Sequence, residues 1–182
     1  FFIKVAKRIR ASRKAVRFLV VGDEATIYGN ETVYLAEKSF KRHVLETERM
    51  DEEALVFKPF MPHDDFAKHL QAMDLILFPI FEGAGNWALY DAMAAGIPVL
   101  ASYRCFIPEV MTHEDDGLLF DPHDVEGFAR AALMVLADGS RFRELGFAAR
   151  RKMARRFSPE RAAEGYASVL SEALNKKCQA AS

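Results

Sequence analysis

The stretch LILFPIFEGAGNWALYDAMAAGIPVLAS, residues 75–102, constrains the fold more than any other part of the chain. Its apolar run from Leu75 to Ile80 shows no polar alternation, as expected of a strand buried on both faces. Glu82 to Asn86 reads as a glycine-rich loop, Trp87 to Ala95 as a helix, and Ile97 to Ala101 as a second buried strand. Strand, helix and strand in that order make a parallel βαβ unit, because parallel neighbours need a crossover connection. Gly83 and Gly85 lack a Cβ, so the backbone can turn there and bring its N–H groups close to a ligand. The next helix points unpaired N–H groups and the positive end of its dipole at the same place, which suits a phosphate.

The same alternation runs through the rest of the chain. A helix with Phe2, Ile3, Ala6 and Ile9 as its apolar positions leads to a strand at Phe18–Val21, ended by Gly22-Asp23. A polar loop follows, and then a helix from Tyr34 to about Met50 carrying Leu35, Phe40, Val44 and Leu45. Ala54 to Phe57 is the next strand. From His63 a helix places Phe66, His69, Leu70 and Met73 on one face. Beyond the βαβ unit come a short helix opened by Pro108, a strand at Gly117–Phe120, and a helix capped by Asp124. Two more helices start at Ser140 and at Ser158-Pro159. This order predicts an α/β domain: a doubly wound, mostly parallel, Rossmann-like sheet with helices on both faces. Ligands of such sheets bind outside the carboxyl ends of the strands. Four loops gather there: Gly22–Glu31, Lys58–Pro62, Phe81–Asn86 and Ser102–Ile107.

With 182 residues, 51% of them hydrophobic, the chain can bury a sizeable core and reads as one domain, residues 1–182. A net charge of -1 gives no reason to expect nucleic acid. Cys105 and Cys178 form neither a disulfide framework nor a CxxC site, so unpaired thiols and a cytoplasmic location are expected. No apolar run approaches the ~20 residues that span a bilayer. The start, FFIKVAKRIRASRK, lacks Met and lies already inside a helical pattern, which leads us to expect a piece of a longer protein. The five histidines show no metal-ligand spacing, and no metal site is expected. Trp87 is expected to pack at its helix start, with an exposed ring beside a sugar site as the alternative. Two basic stretches, Lys4 to Lys14 and Arg150 to Arg156, read as solvated helix faces, with peripheral contact to anionic lipid as the alternative.

Glu82-Gly83-Ala84-Gly85, Leu89, Asp91-Ala92-Met93-Ala94-Ala95-Gly96-Ile97-Pro98-Val99, Ala101-Ser102, Pro108-Glu109-Val110 and Gly117-Leu118-Leu119 follow one another in a recognisable order. In this the chain resembles the donor-binding, C-terminal domain of family-four retaining GT-B glycosyltransferases. Val20-Val21-Gly22-Asp23 and Val56-Phe57 through Pro62 fall where that family places them, and the Tyr28-Gly29 loop resembles one of its branches. The resemblance implies a nucleotide-diphosphate sugar as donor substrate, and no cofactor besides. It also implies a missing N-terminal acceptor domain of the same protein. By position, Glu82 is the catalytic acidic residue beside the donor sugar and Asp91 holds the ribose hydroxyls. Gly83 and Gly85 would offer amides to the diphosphate or sugar. The chain departs from the family pattern in three ways. Eight residues separate Glu82 from Asp91, one more than in the pattern. Cys105-Phe106 stands where many members have Gly-Gly, which is expected to restrict that loop. The basic residues that the family uses on the diphosphate belong upstream of residue 1. Two other readings remain: a GT-B-like binding or interaction module without catalysis, and an NADP-binding oxidoreductase domain, since Gly-Ala-Gly-Asn-Trp-Ala also fits G-x-G-x-x-A.

Overall fold

The computed structural model describes residues 1–23, 33, 35, 39–50 and 52–180. The Tyr28-Gly29 loop and the first part of the helix expected from Tyr34 lie outside the described residues, as does the Cys178 side chain. Helix α1, Phe2–Ser12, is followed by β1, Phe18–Val21, and by α2, Phe40–Glu48. A single 3-10 turn leads into β2, Leu55–Lys58. Next come α3, His63–Gln71, then β3, Ile76–Phe78, α4, Trp87–Ala95, and β4, Val99–Ser102. The chain continues through α5, Ile107–Val110, β5, Leu118–Phe120, α6, Val125–Ala137, α7, Gly139–Arg156, and α8, Pro159–Ala180.

Among the described residues every strand pair is parallel. β1 pairs with β2 from Phe18 opposite Leu55 to Val21 opposite Lys58. β4 sits between β3 and β5, with Leu100 facing Leu77 on one side and Leu118 on the other. The strands therefore form two ladders, and an apolar crevice of about 220 Å³ opens between β1, β3 and α3. Phe66, His69, Leu70 and Met73, the expected shared face of α3, all line it.

Side-chain alternation along β4 explains why two cores exist. All four of its residues are buried. Leu100 joins the cluster built by α1 and α6 around Ile9, Phe128 and Val135, whereas Val99 and Ala101 join the cluster of α4, α5 and α7 around Leu89, Met93 and Met153. A strand sends successive side chains to opposite faces, so one central strand anchors both layers. Each fully buried large aliphatic side chain stabilises the fold by roughly 1.5–3 kcal/mol over an exposed one.

Helix ends follow their sequence signals with some exceptions. Asp124 caps α6 by accepting from the Gly127 N–H at 2.8 Å. Helix α7 starts one residue before the expected Ser140: Asp138 caps it by accepting from Arg141 N–H, and Ser140 donates its hydroxyl to Asp138. A carboxylate accepts both bonds at once, which a serine hydroxyl does less well. Phe40, expected on the apolar face of α2, is exposed, while Val44 and Leu45 pack against the core. The basic residues of α1 are largely engaged with the domain: Lys7 and Lys4 pair with Glu48, Arg8 with Glu126 at 2.6 Å, and Arg13 donates to the Leu136 carbonyl.

Candidate functional site

Within each ladder the strands run parallel, so their carboxyl ends share one edge, and the loops leaving each ladder are tied to one another by hydrogen bonds. Gly22 N–H donates to the Lys58 carbonyl at 3.0 Å, and Phe60 N–H donates to Asp23 Oδ1 at 3.0 Å. Ser102, fully buried at the end of β4, accepts from the Ile80 N–H at 3.0 Å. One residue on, the Phe81 carbonyl accepts from Arg104 Nε at 3.2 Å and lies 3.7 Å from the Cys105 thiol. The Phe81 ring meets Phe1 and His123 at centroid distances of 5.6 and 5.1 Å. The chain entering the glycine-rich loop is thus held from the β4–α5 loop and from aromatic neighbours.

Cys105 has φ +54°, the left-handed conformation. The loop at Cys105-Phe106 therefore takes up a conformation that glycine would enter freely, at a steric cost of about 1–2 kcal/mol. The backbone bonds from Ile107 N–H to Arg104 O and from Arg104 N–H to Ser102 O hold Cys105 in that conformation.

Within the loop itself, Glu82 to Asn86 are exposed. Among the described residues the Glu82 carboxylate makes no hydrogen bond or ion pair, so it is free to accept from a ligand hydroxyl. Gly83 has φ +158°, and a Cβ there would come within 3.0 Å of Ile80 Cδ1. Gly85 is different: its φ is not positive and a Cβ would meet only the Tyr90 hydroxyl at 3.9 Å. Asn86 caps α4, its Oδ1 accepting from Ala88 N–H at 2.9 Å while its carbonyl accepts from Leu89 N–H. Two amides of the first turn are thereby used internally, which shifts any anion contact toward the amides of the Gly83–Gly85 loop.

Asp91 lies on the second turn of α4, with its side chain 29% exposed. The structure brings it against His63, whose Nε2 is 3.2 Å from Asp91 Oδ1. His63 is the first residue of α3, just after the Lys58–Pro62 loop. Sequence reasoning passed over it because a lone histidine without ligand spacing has no signal of its own. The available hint was its position at a helix start on the carboxyl edge. Glu82 and Asp91 flank the beginning of α4, and the structure shows no direct contact between them. The expectation that Trp87 packs is overturned in favour of the exposed ring: the residue is 84% exposed, and its ring lies tilted 6.2 Å from that of Tyr90. The inward positions of α4 are occupied by Leu89, Ala92 and Met93, one helical face that Trp87 does not share. Among the described residues no three His, Cys, Asp or Glu side chains gather as a metal site would require. The crevice beside β1 contains none of Glu82, Gly83, Gly85 or Asp91.

Comparison with known proteins agrees with this architecture. The family model described as "Glycosyl transferases group 1" matches residues 1–138. N-acetyl-alpha-D-glucosaminyl L-malate synthase of Bacillus anthracis is 31% identical over 111 residues, which is 61% of this chain and 29% of that protein. Among solved structures, HepE of Anabaena in complex with UDP superposes with a TM-score of 0.76 at 21% identity, covering 94% of this chain and 44% of that one. The C-terminal domain of a glycosyl transferase group 1 family protein of Francisella tularensis gives 0.70 at 16% identity, covering 87% of this chain and 78% of that domain. The chain thus spans less than half the length of the synthase and of HepE but most of an isolated C-terminal domain. With its parallel α/β architecture and the matched 138 residues, the chain belongs to the group 1 glycosyl transferases and has the fold of a C-terminal GT-B domain.

Proposed function

We propose that this chain is the donor-binding half of a retaining glycosyltransferase that moves a hexose from a nucleoside-diphosphate sugar to an acceptor held by a second domain. The observation that carries the reading is the loop leaving β3, where an unengaged Glu82 and the Gly83–Gly85 backbone lead into α4, which carries Asp91 on its second turn. In this reading Glu82 accepts from hydroxyls of the donor sugar. Gly83 and Gly85 offer amides to the diphosphate, whose negative charge grows as the bond from the sugar's anomeric carbon to the phosphate oxygen breaks. Asp91 accepts from the vicinal ribose hydroxyls as a charge-assisted pair. The base lies against the Lys58–Pro62 loop. The complexes of HepE with UDP and with UDP-glucose support a nucleotide-activated sugar as the donor.

The test is transfer by the full-length protein from a panel of UDP-, GDP- and ADP-hexoses. Glu82→Ala is expected to lower kcat at least tenfold while changing nucleoside diphosphate affinity by less than about threefold, because its contact is to the sugar. Loss of nucleotide affinity equal to the loss of kcat would contradict that role. A second reading, a binding module without catalysis, is favoured by the eight-residue spacing and by the His63 contact that already occupies one oxygen of Asp91. Nucleotide binding without transfer from any donor would select it.

A further inference from the structure

Asp91 is one side chain with two oxygens, and the structure has already spoken for one of them. His63 Nε2 lies 3.2 Å from Oδ1, and no second hydrogen-bond partner of this carboxylate is found among the described residues. An ionised carboxylate only accepts, so His63 is the donor of this bond through Nε2. The imidazole comes from a firmly built helix start. Pro62 caps α3, its carbonyl accepts from Asp65 and Phe66 N–H at 3.1 and 3.0 Å, and Leu70 is buried one face below. Asp91 in turn projects from α4 next to the buried Leu89, Ala92 and Met93. Both partners thus stand on rigid elements, although the His63 side chain itself is 70% exposed.

We infer that His63 is a positioning residue for nucleotide binding: it holds the Asp91 carboxylate in the rotamer that accepts a ribose diol, and links it to the loop that flanks the base. The inference rests on the proposed role of Asp91. A carboxylate at the end of a freely rotating Cα–Cβ bond loses rotamer freedom when it takes up a diol, and a neighbour that fixes it beforehand removes part of that cost. His63 touches neither diphosphate nor sugar in this account. Its effect should therefore depend on the ribose hydroxyls alone.

The experiment titrates the full-length protein with whichever of UDP, GDP and ADP binds most tightly, and with its 2′,3′-dideoxy counterpart. His63→Ala is expected to weaken binding of the ribonucleotide roughly three- to fivefold, within the range of one net hydrogen bond, and to leave the dideoxy ligand within about twofold. His63→Gln, which retains a donor, is expected to recover most of the loss, and His63→Ala is expected to add nothing to Asp91→Asn. An unchanged affinity, an equal loss on both ligands, no recovery by glutamine, or additivity with Asp91→Asn would overturn the positioning role and leave the donor reading standing. If Asp91→Asn binds as tightly as the parent protein, or no nucleotide binds, the role of Asp91 fails and the inference fails with it.

Discussion

Asp116 shows how a single residue holds the region behind the site. It is 5% exposed, accepts from the Thr112 N–H at 2.7 Å, and pairs with Lys152 of α7, which also reaches the Thr112 hydroxyl at 3.2 Å. Removing one member of a buried ion pair leaves the other charged and unpartnered. Asp116→Ala is expected to destabilise the domain by about 3 kcal/mol in chemical denaturation, and a loss under about 1 kcal/mol would contradict this account. Ser102→Ala tests the loop more directly. It deprives the Ile80 N–H of its acceptor, costs about 1–3 kcal/mol, and should also weaken donor binding because the Glu82 loop hangs from that bond. Asp138 supplies a pH signature. Hydrogen bonds from the Ser140 hydroxyl and then from the Arg141 amide hold its carboxyl below the ordinary carboxylate value. Its contribution is therefore complete above that ordinary value and is lost as pH falls through the lower, folded-state value. Acid denaturation profiles of the parent and Asp138→Ala should accordingly differ near neutrality and converge in strong acid.

At the scale of elements, α7 makes a close backbone approach to the α4–β4 turn. Gly96 ends α4 in the left-handed conformation, φ +79°. A Cβ on Gly146 would overlap its carbonyl and come within 3.0 Å of the Ile97 carbonyl carbon. Alanine normally favours a helix over glycine by about 1 kcal/mol, but here the clash is with backbone and cannot be relieved by a rotamer change. Gly146→Ala is expected to lower Tm, and a raised Tm would contradict the close approach. Helix α8 behaves oppositely, with every residue from Pro159 to Lys176 exposed in this chain. Its amides are expected to exchange with solvent far faster than those of α4, whose Leu89, Ala92 and Met93 are fully buried. The elements themselves were largely legible from sequence because their apolar spacing is regular and their ends carry Asp, Pro and Gly signals. What escaped was set by particular contacts. Asp138 caps an α7 that starts one residue earlier than expected, Trp87 turned outward because three better-placed residues fill the core, and Cys105 entered a left-handed conformation that no local rule assigns to cysteine. His63 became visible only when α3 and α4 were placed side by side.

For the molecule as a whole, the family and the parallel α/β fold were both readable in the Glu-Gly-x-Gly to Ala-Met-Ala block, since that block encodes the βαβ unit and its ligand-facing turn together. The individual contacts were less readable, because Glu82 and Asp91 are placed by different elements and their separation in sequence does not fix their separation in space. The chain spans 29% of the length of the malate-linked synthase and 44% of HepE, so transfer itself belongs to the proposal for the whole protein. The central claim is that the carboxyl edge binds a nucleoside diphosphate through Asp91. Calorimetric titration of the full-length protein with UDP, GDP and ADP, alongside Asp91→Ala, tests it most directly. The account predicts saturable binding of at least one nucleotide with Kd on the order of micromolar to millimolar, weakened about ten- to a hundredfold by the substitution. Binding unaffected by Asp91→Ala, or no saturable binding of any of the three, would contradict it.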